Sequence, residues 1–325
     1  MKDAKTFLDT WMLPLALTTG ITVYLLFRFV PFMMPSEPAI SAFAKEFQPI
    51  AVACMLFLQY NKVSPHDIKI QKWHIWLLAL QAIGFVLLAL ITSGMEEGIW
   101  KILMECATLC IICPTAAAAG VITDKLGGSL SHTISYTVLS NCLAAIMIPL
   151  LIPVINSTDG ATFGYSFLKI CKRVFPLLIF PLLLAWFIRY CIKPLQHFLM
   201  RYTFLAFYLW GISLTFAMFL ATRALLNSGV SVSGAMLIGI VSFACTLFQF
   251  YAGRKAGKPY GKIESVTAGQ ALGQKNTGFL IWLGYSFLTP VTSVSGGLYA
   301  IFQNLFNSWE LHEHDEEIEA KGPRA

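Results

Sequence analysis

Charge is scarce in this chain. Only 12% of its 325 residues are Asp, Glu, Lys or Arg, 57% are hydrophobic, and the mean hydropathy is +0.67. That is too little charge to clothe a water-soluble globule, so the soluble classes are excluded. The local signatures of soluble catalysts are also missing: no glycine-rich phosphate loop opens a helix, and neither a G-x-S-x-G elbow nor an H-E-x-x-H pair occurs. No carboxylate or histidine cluster suggests a membrane enzyme either, so no catalytic residue and no cofactor are expected. The eight cysteines are scattered through apolar segments. Cys106, Cys110 and Cys113 share part of one helix but have no histidine nearby, so they read as packing residues rather than metal ligands. The net charge of +6 comes mostly from loops on one side, which topology explains better than nucleic-acid binding does.

What the chain has is long apolar runs. A bilayer is crossed by roughly 20 apolar residues, and reading at that length predicts an all-α polytopic membrane protein with ten spans, at about 11–33, 38–60, 73–93, 98–123, 131–154, 166–190, 201–226, 230–252, 264–287 and 290–308. Lys2 and Lys5, then Lys62, Lys69 and Lys72, then Arg189, Lys193 and Arg201, then Arg254, Lys255, Lys258 and Lys262 all fall on one side. The positive-inside rule makes that side cytoplasmic and puts both termini there, in a multi-pass protein of the cell (inner) membrane. Lys169, Lys172 and Arg173 break the pattern at the outer start of the sixth span, either snorkelling to the interface or lining an outward vestibule. The outer loop Asn156-Ser157-Thr158-Asp159-Gly160 is poor in base. The run from Trp11 has no small-residue cleavage site behind it and reads as a retained span. Trp11, Trp73, Trp76, Trp100 and Trp309 fall near span ends, as interfacial belts do. Residues 309–325 read as a polar, acidic, partly disordered cytoplasmic tail.

Two of the spans are interrupted. The fourth breaks across Cys113-Pro114-Thr115-Ala116-Ala117-Ala118-Ala119-Gly120, and the ninth across Gly269-Gln270-Ala271-Leu272-Gly273-Gln274-Lys275-Asn276-Thr277-Gly278. Such breaks survive in a bilayer only where they face protein or a wet cavity. Ten spans with both ends inside divide into two five-helix repeats, residues 1–157 and 158–308, the second inverted relative to the first. Broken helices at equivalent places in two inverted halves point to the binding site of a secondary transporter.

These segments carry a resemblance. Cys113-Pro114 followed by small residues resembles the C-P-G-G-T-A-S-N-V motif of the bile acid:sodium symporter family. The next span, with Thr133, Thr137 and Ser140 leading to Ile148-Pro149, resembles that family's Ser/Thr-rich helix ending in L-x-P. Gly273-Gln274-Lys275-Asn276-Thr277-Gly278 is similar to its G-M-Q-N-S-G, Gln303-Asn304 to its H-N pair, and Phe57-Leu58-Gln59 through Ser64-Pro65-His66-Asp67 to its M-G-L-x-L-x-P-x-D turn. The matches run in order along essentially the whole chain. The resemblance implies a panel domain of spans 1, 2, 6 and 7, a core domain of spans 3, 4, 5, 8, 9 and 10, and a crossing of spans 4 and 9 at their breaks, marked here by Pro114, Ala119, Gly120, Ala271 and Gly273. It also implies transport of a small organic anion, bile-acid-like or a small carboxylate, with sodium.

The sodium ligands implied by the resemblance are largely replaced. Its Ser-Asn pair aligns with Ala119 and Gly120, its glutamate with Ala271 and its glutamine with Lys275. Gln81, Thr133 and Thr137 remain as oxygen donors, with Thr115 offering a hydroxyl at the first break. An ammonium near the membrane midplane costs roughly 2.5–3.5 kcal/mol on insertion scales and calls for a partner or a cavity. Three readings of Lys275 stand. It takes the place of sodium, donating to Thr133, Thr137 and Gln81 and carrying a coupled proton; it binds the anion directly; or it is a static cross-link between the broken helices. Gln274, Asn276 and Thr277 belong to the same candidate site, the last two either as anion ligands or as ordinary caps of the following half-helix. Asn304 joins them ahead of its neighbour Gln303. The expectation is therefore a sodium-independent carrier of an organic anion working by alternating access in the lipid bilayer. The alternatives are a sodium-coupled symporter, or a channel or non-transporting receptor on the same fold.

Overall fold

The structure, a computed structural model, describes residues 2–156 and 162–320. The expected repeat boundary at 157/158, the outer loop Ser157-Thr158-Asp159-Gly160 and the last five residues of the tail lie outside the described residues. Fourteen α-helices are present among those described: α1 (Lys2–Phe29), α2 (Glu37–Tyr60), α3 (Lys72–Ser93), α4 (Ile99–Ile112), α5 (Ala119–Lys125), α6 (Leu130–Ile155), α7 (Phe163–Leu178), α8 (Phe180–Cys191), α9 (Lys193–Arg201), α10 (Leu205–Asn227), α11 (Val232–Gly257), α12 (Lys262–Gly273), α13 (Thr277–Phe287) and α14 (Ser293–Ala320). Seven stretches are each long and apolar enough to cross a bilayer: Trp11–Phe29, Met34–Tyr60, α3, α6, α7 with α8, α10, and Val232–Tyr260. Their outward faces are apolar, with Ile83, Leu87 and Leu90 of α3 and Met236 and Ile240 of α11 more than half exposed. The protein is a multi-pass, all-helical membrane protein.

Helix ends follow local chemistry. α4 stops at Cys113 because the proline after it disfavours helical backbone, and Cys113 turns to φ −51°, ψ 128°. The expected sixth span is kinked between α7 and α8, where Pro181 lacks the N–H that a continuous helix needs. The expected seventh span does not start at 201. Lys193–Arg201 forms the separate, amphipathic α9, and the apolar helix begins only at Leu205.

α1 packs on α10 and α10 on α2; α2 also packs on α7 and α8. A second group joins α3 to α4 and α6, and α11 to α4, α12 and α14. α11 and α12 approach backbone to backbone. A Cβ on Gly253 would fall 2.3 Å from the Ala268 carbonyl oxygen, and one on Gly257 2.2 Å from that of Glu264. Glycines four apart let two backbones touch where apolar surroundings supply no hydrophobic drive.

Two expectations at the end of the bundle that carries Trp73 and Glu310 fail. The tail is not disordered from Trp309: α14 continues to Ala320, because Glu310 is 3% exposed and held by Arg254 and Gln270. Trp73 is no belt residue; it is fully buried, its indole N–H donating to Glu264 Oε2 at 2.7 Å. Trp11, Trp76, Trp100 and Trp309 remain more than half exposed. Lys169, Lys172 and Arg173 are exposed on α7.

Candidate functional site

The two breaks meet. Thr115 and Lys275 form an isolated antiparallel bridge, in which Ala116 N–H donates to Gln274 O and Asn276 N–H donates to Pro114 O, both at 2.9 Å. The non-helical segments are shorter than the sequence suggests. They run from Cys113 to Ala118 and from Gln274 to Asn276, so Ala119 and Gly120 open α5 while Ala271 and Gly273 close α12.

Backbone groups freed at a break must find partners inside protein, and most of them can be traced. Thr115 N–H donates to Ser140 Oγ at 3.1 Å, and Lys275 N–H donates to Gln303 Oε1 at 2.9 Å. The carbonyl of Ala271 accepts from Thr115 Oγ1 at 2.7 Å and that of Gly273 from the Tyr299 hydroxyl at 2.8 Å. Gln81 Nε2 reaches the carbonyls of Ile111 and Cys113 at 3.0 and 3.4 Å, while its oxygen accepts from Tyr136 at 2.6 Å. Asn276 caps α13, its Oδ1 accepting Phe279 N–H at 3.2 Å. From α2, Gln59 Nε2 donates to Ala117 O at 2.6 Å and Gln48 Nε2 to Gly278 O at 3.3 Å, so one helix touches the first break and the first turn of α13.

Thr115 is central to this network. Thr115→Val is expected to cost about 1–3 kcal/mol, since it leaves the Ala271 carbonyl buried and unpaired. Thermal unfolding of the detergent-solubilised protein measures the loss, and an unchanged midpoint would remove Thr115 from the network.

Lys275 is fully buried midway along 262–287, and its Nζ has no hydrogen-bond partner among the described residues. The expected acceptors do not reach it. Thr133 Oγ1 donates to Ser129 O at 3.0 Å and Thr137 Oγ1 to Thr133 O at 2.9 Å, because hydroxyls within a helix satisfy themselves on the preceding turn. Gln81 is engaged as described. The thiols of Cys110, Cys113 and Cys245 lie within electrostatic range of the ammonium, and no carboxylate among the described residues pairs with it. A buried chain from Glu310 ends one residue before it: Arg254 and Gln270 hold Glu310, and Gln274 donates to Gln270.

Most of the residues singled out from the sequence surround one junction: Pro114, Thr115, Ala271, Gly273, Gln274, Lys275, Asn276 and Gln81. Thr277, the first residue of α13, is 3% exposed. Asn304 does not reach the break; its Nδ2 donates to Ala300 O on its own helix at 2.7 Å, and its neighbour Gln303 makes the contact instead. The sequence offers Gln59 only within the turn motif and gives Gln249, Tyr136 and Tyr299 no role. Gln249 Nε2 reaches Cys110 O and the Tyr299 hydroxyl, both at 3.1 Å. A polar side chain inside an otherwise apolar span is the one signal that could have found them.

The description Sodium Bile acid symporter family belongs to a family model that matches residues 49–227, more than half of the chain. The match includes the first break and ends before the second. A search of curated proteins finds no match.

Proposed function

The chain belongs to the sodium bile acid symporter family, and from that premise we propose that it is a secondary carrier of an organic anion in which Lys275 supplies the positive charge that sodium brings elsewhere in the family. It is a transporter and not an enzyme. The observation that carries the proposal is the Lys275 ammonium, fully buried beside the meeting point of two broken helices with no acceptor among the described residues. An uncompensated charge in such a site is costly, and an anion bound against the junction would offset it. The residues aligned with sodium ligands support the same reading. Ala119, Gly120 and Ala271 bring no side-chain oxygen.

In this reading the ten spans form two inverted five-helix repeats. The α1, α2, α7–α8 and α10 panel moves against the core so that the junction faces each side in turn. Gln48 and Gln59, which tie α2 to α13 and to the first break, are the contacts that such movement has to exchange. Both termini are cytoplasmic by the positive-inside rule.

Proteoliposome uptake of a bile salt, a steroid sulfate and a short carboxylate is expected to be unchanged when sodium is replaced by choline at constant ionic strength. A sodium-specific gain of about tenfold, ~1.4 kcal/mol, would overturn sodium independence in favour of the coupled symporter. Counterflow is expected as well. A channel shows no trans-stimulation, and a receptor shows no flux.

A further inference from the structure

At the end of the bundle opposite Glu310, α1, α2 and α10 border an open cleft of about 490 Å³ lined by Tyr24, Phe27, Arg28, Met34, Glu37, Arg223 and Asn227. A smaller cavity of about 250 Å³ adjoins it, reaching from α10 to Tyr285, Thr289 and Val291, and Arg223 and Asn227 lie in the walls of both. The larger volume falls within the roughly 300–1,000 Å³ of small-molecule sites. Its fixed charges are two guanidinium groups against one carboxylate, with apolar walls from Phe27 and Met34. The positive-inside rule places this end outside the cell.

Arg223 is not fully used. Its Nε donates to Glu37 Oε1 at 2.5 Å and its Nη1 to the Tyr285 hydroxyl at 3.0 Å. A guanidinium has five donors in a planar fork suited to an acid group. Asn227, one turn further along α10, donates to the Tyr24 hydroxyl at 3.1 Å. Lys45 lies over the Tyr285 ring, 4.9 Å from its centroid, and adds to the positive field.

We infer that this cavity is an outer capture site for an amphipathic organic anion, with Arg223 and Arg28 holding its carboxylate or sulfonate and Phe27 and Met34 covering its apolar body. The role as a capture site rests on the carrier reading above; the binding itself does not. Because Arg223 on α10 also bonds Tyr285 on α13, a bound acid group competes for the same guanidinium that ties those two helices. Glu37 occupies that guanidinium in the empty site and is displaced by the ligand's own acid.

The test uses the full chain in nanodiscs with Met34→Cys as reporter, alkylated by a membrane-impermeant maleimide, with taurocholate as probe and the unsubstituted chain as blank. Taurocholate at about 1 mM is expected to slow labelling by about fivefold, as mass action gives for a site mostly filled at that level. Adding Arg223→Gln or Arg28→Gln should abolish the protection. Adding Glu37→Gln should lower the half-protecting concentration by about threefold, since the competing carboxylate is gone; a merely structural Glu37–Arg223 clip would instead weaken protection when broken. Protection should survive Lys275→Gln. Absence of protection, or protection indifferent to both arginines, overturns the site. Uptake without protection removes the capture site alone, protection without uptake removes the carrier reading alone, and neither removes both.

Discussion

Lys275→Met is expected to abolish uptake while making the protein harder to unfold. The two effects have separate causes. The ammonium is fully buried and donates to nothing among the described residues, so it contributes desolvation cost without compensating bonds. A methionine of similar length removes that cost and keeps the packing, and such replacements of buried charge stabilise by about 1–4 kcal/mol. With acceptors around Lys275, the opposite would hold: deleting it would orphan them and destabilise the fold. The sequence alone supports that second expectation, but the hydroxyls of Thr133 and Thr137 turn to their own helix. Transport suffers for the reason that stability gains, because the charge that an anion needs at the junction is absent. A fall in uptake of at least about 100-fold, ~2.7 kcal/mol, should accompany a raised thermal midpoint in detergent. Lys275→Gln should lose uptake similarly, together with any pH dependence that rests on this amine. Parental uptake by the methionine variant would reduce Lys275 to a packing residue, and a lowered midpoint would mean that the ammonium has acceptors after all.

The positions of the breaks were legible because proline, glycine and asparagine act locally. Pro114 ends α4 through its own ring, and Asn276 starts α13 with its own side chain. The partners of the freed backbone groups were not legible, since each comes from another span. Gln303 rather than Asn304 meets Lys275, a choice set by how α14 is rotated against α12, and one sequence does not show that rotation. The same limit applies to the tail. A run of acidic residues after Trp309 looks solvated until Arg254 and Gln270 close on Glu310 and keep the helix going. The hydroxyls of Thr133 and Thr137 share a face of α6 as their spacing implies, yet shared spacing does not tell whether a hydroxyl points to a ligand or back to its own carbonyl. Gly253 and Gly257 were the legible feature most easily passed over. They form a G-x-x-x-G pair at the end of an apolar helix.

Adding one methyl group to each of those glycines is expected to do more damage to the fold than any side-chain deletion at the junction. A Cβ on Gly253 would sit 2.3 Å from the Ala268 carbonyl oxygen and 2.9 Å from its carbon; on Gly257 it would meet the Glu264 carbonyl oxygen at 2.2 Å. The obstructing atoms are helix backbone, which cannot rotate away as a side chain does, so α12 has to move off α11. Everything downstream moves with it. Gly273 already fits against the ring of Phe250, and Gln274 and Lys275 follow directly, so the displacement pulls the second break away from Thr115. Overpacking costs about 1–3 kcal/mol per site and more where backbone resists, so the double Gly253→Ala, Gly257→Ala variant should lose about 3 kcal/mol or more and express poorly. Gly239→Ala on the same helix is the control. There the nearest atom to a new Cβ is Leu298 Cδ1 at 3.9 Å, and the better helix propensity of alanine should stabilise by up to about 1 kcal/mol. Opposite shifts in the thermal midpoint are therefore expected from the same chemical change at two places on α11. Equal shifts would mean that α11 and α12 do not touch backbone to backbone, and the geometry that brings Lys275 to the first break would have to be redrawn.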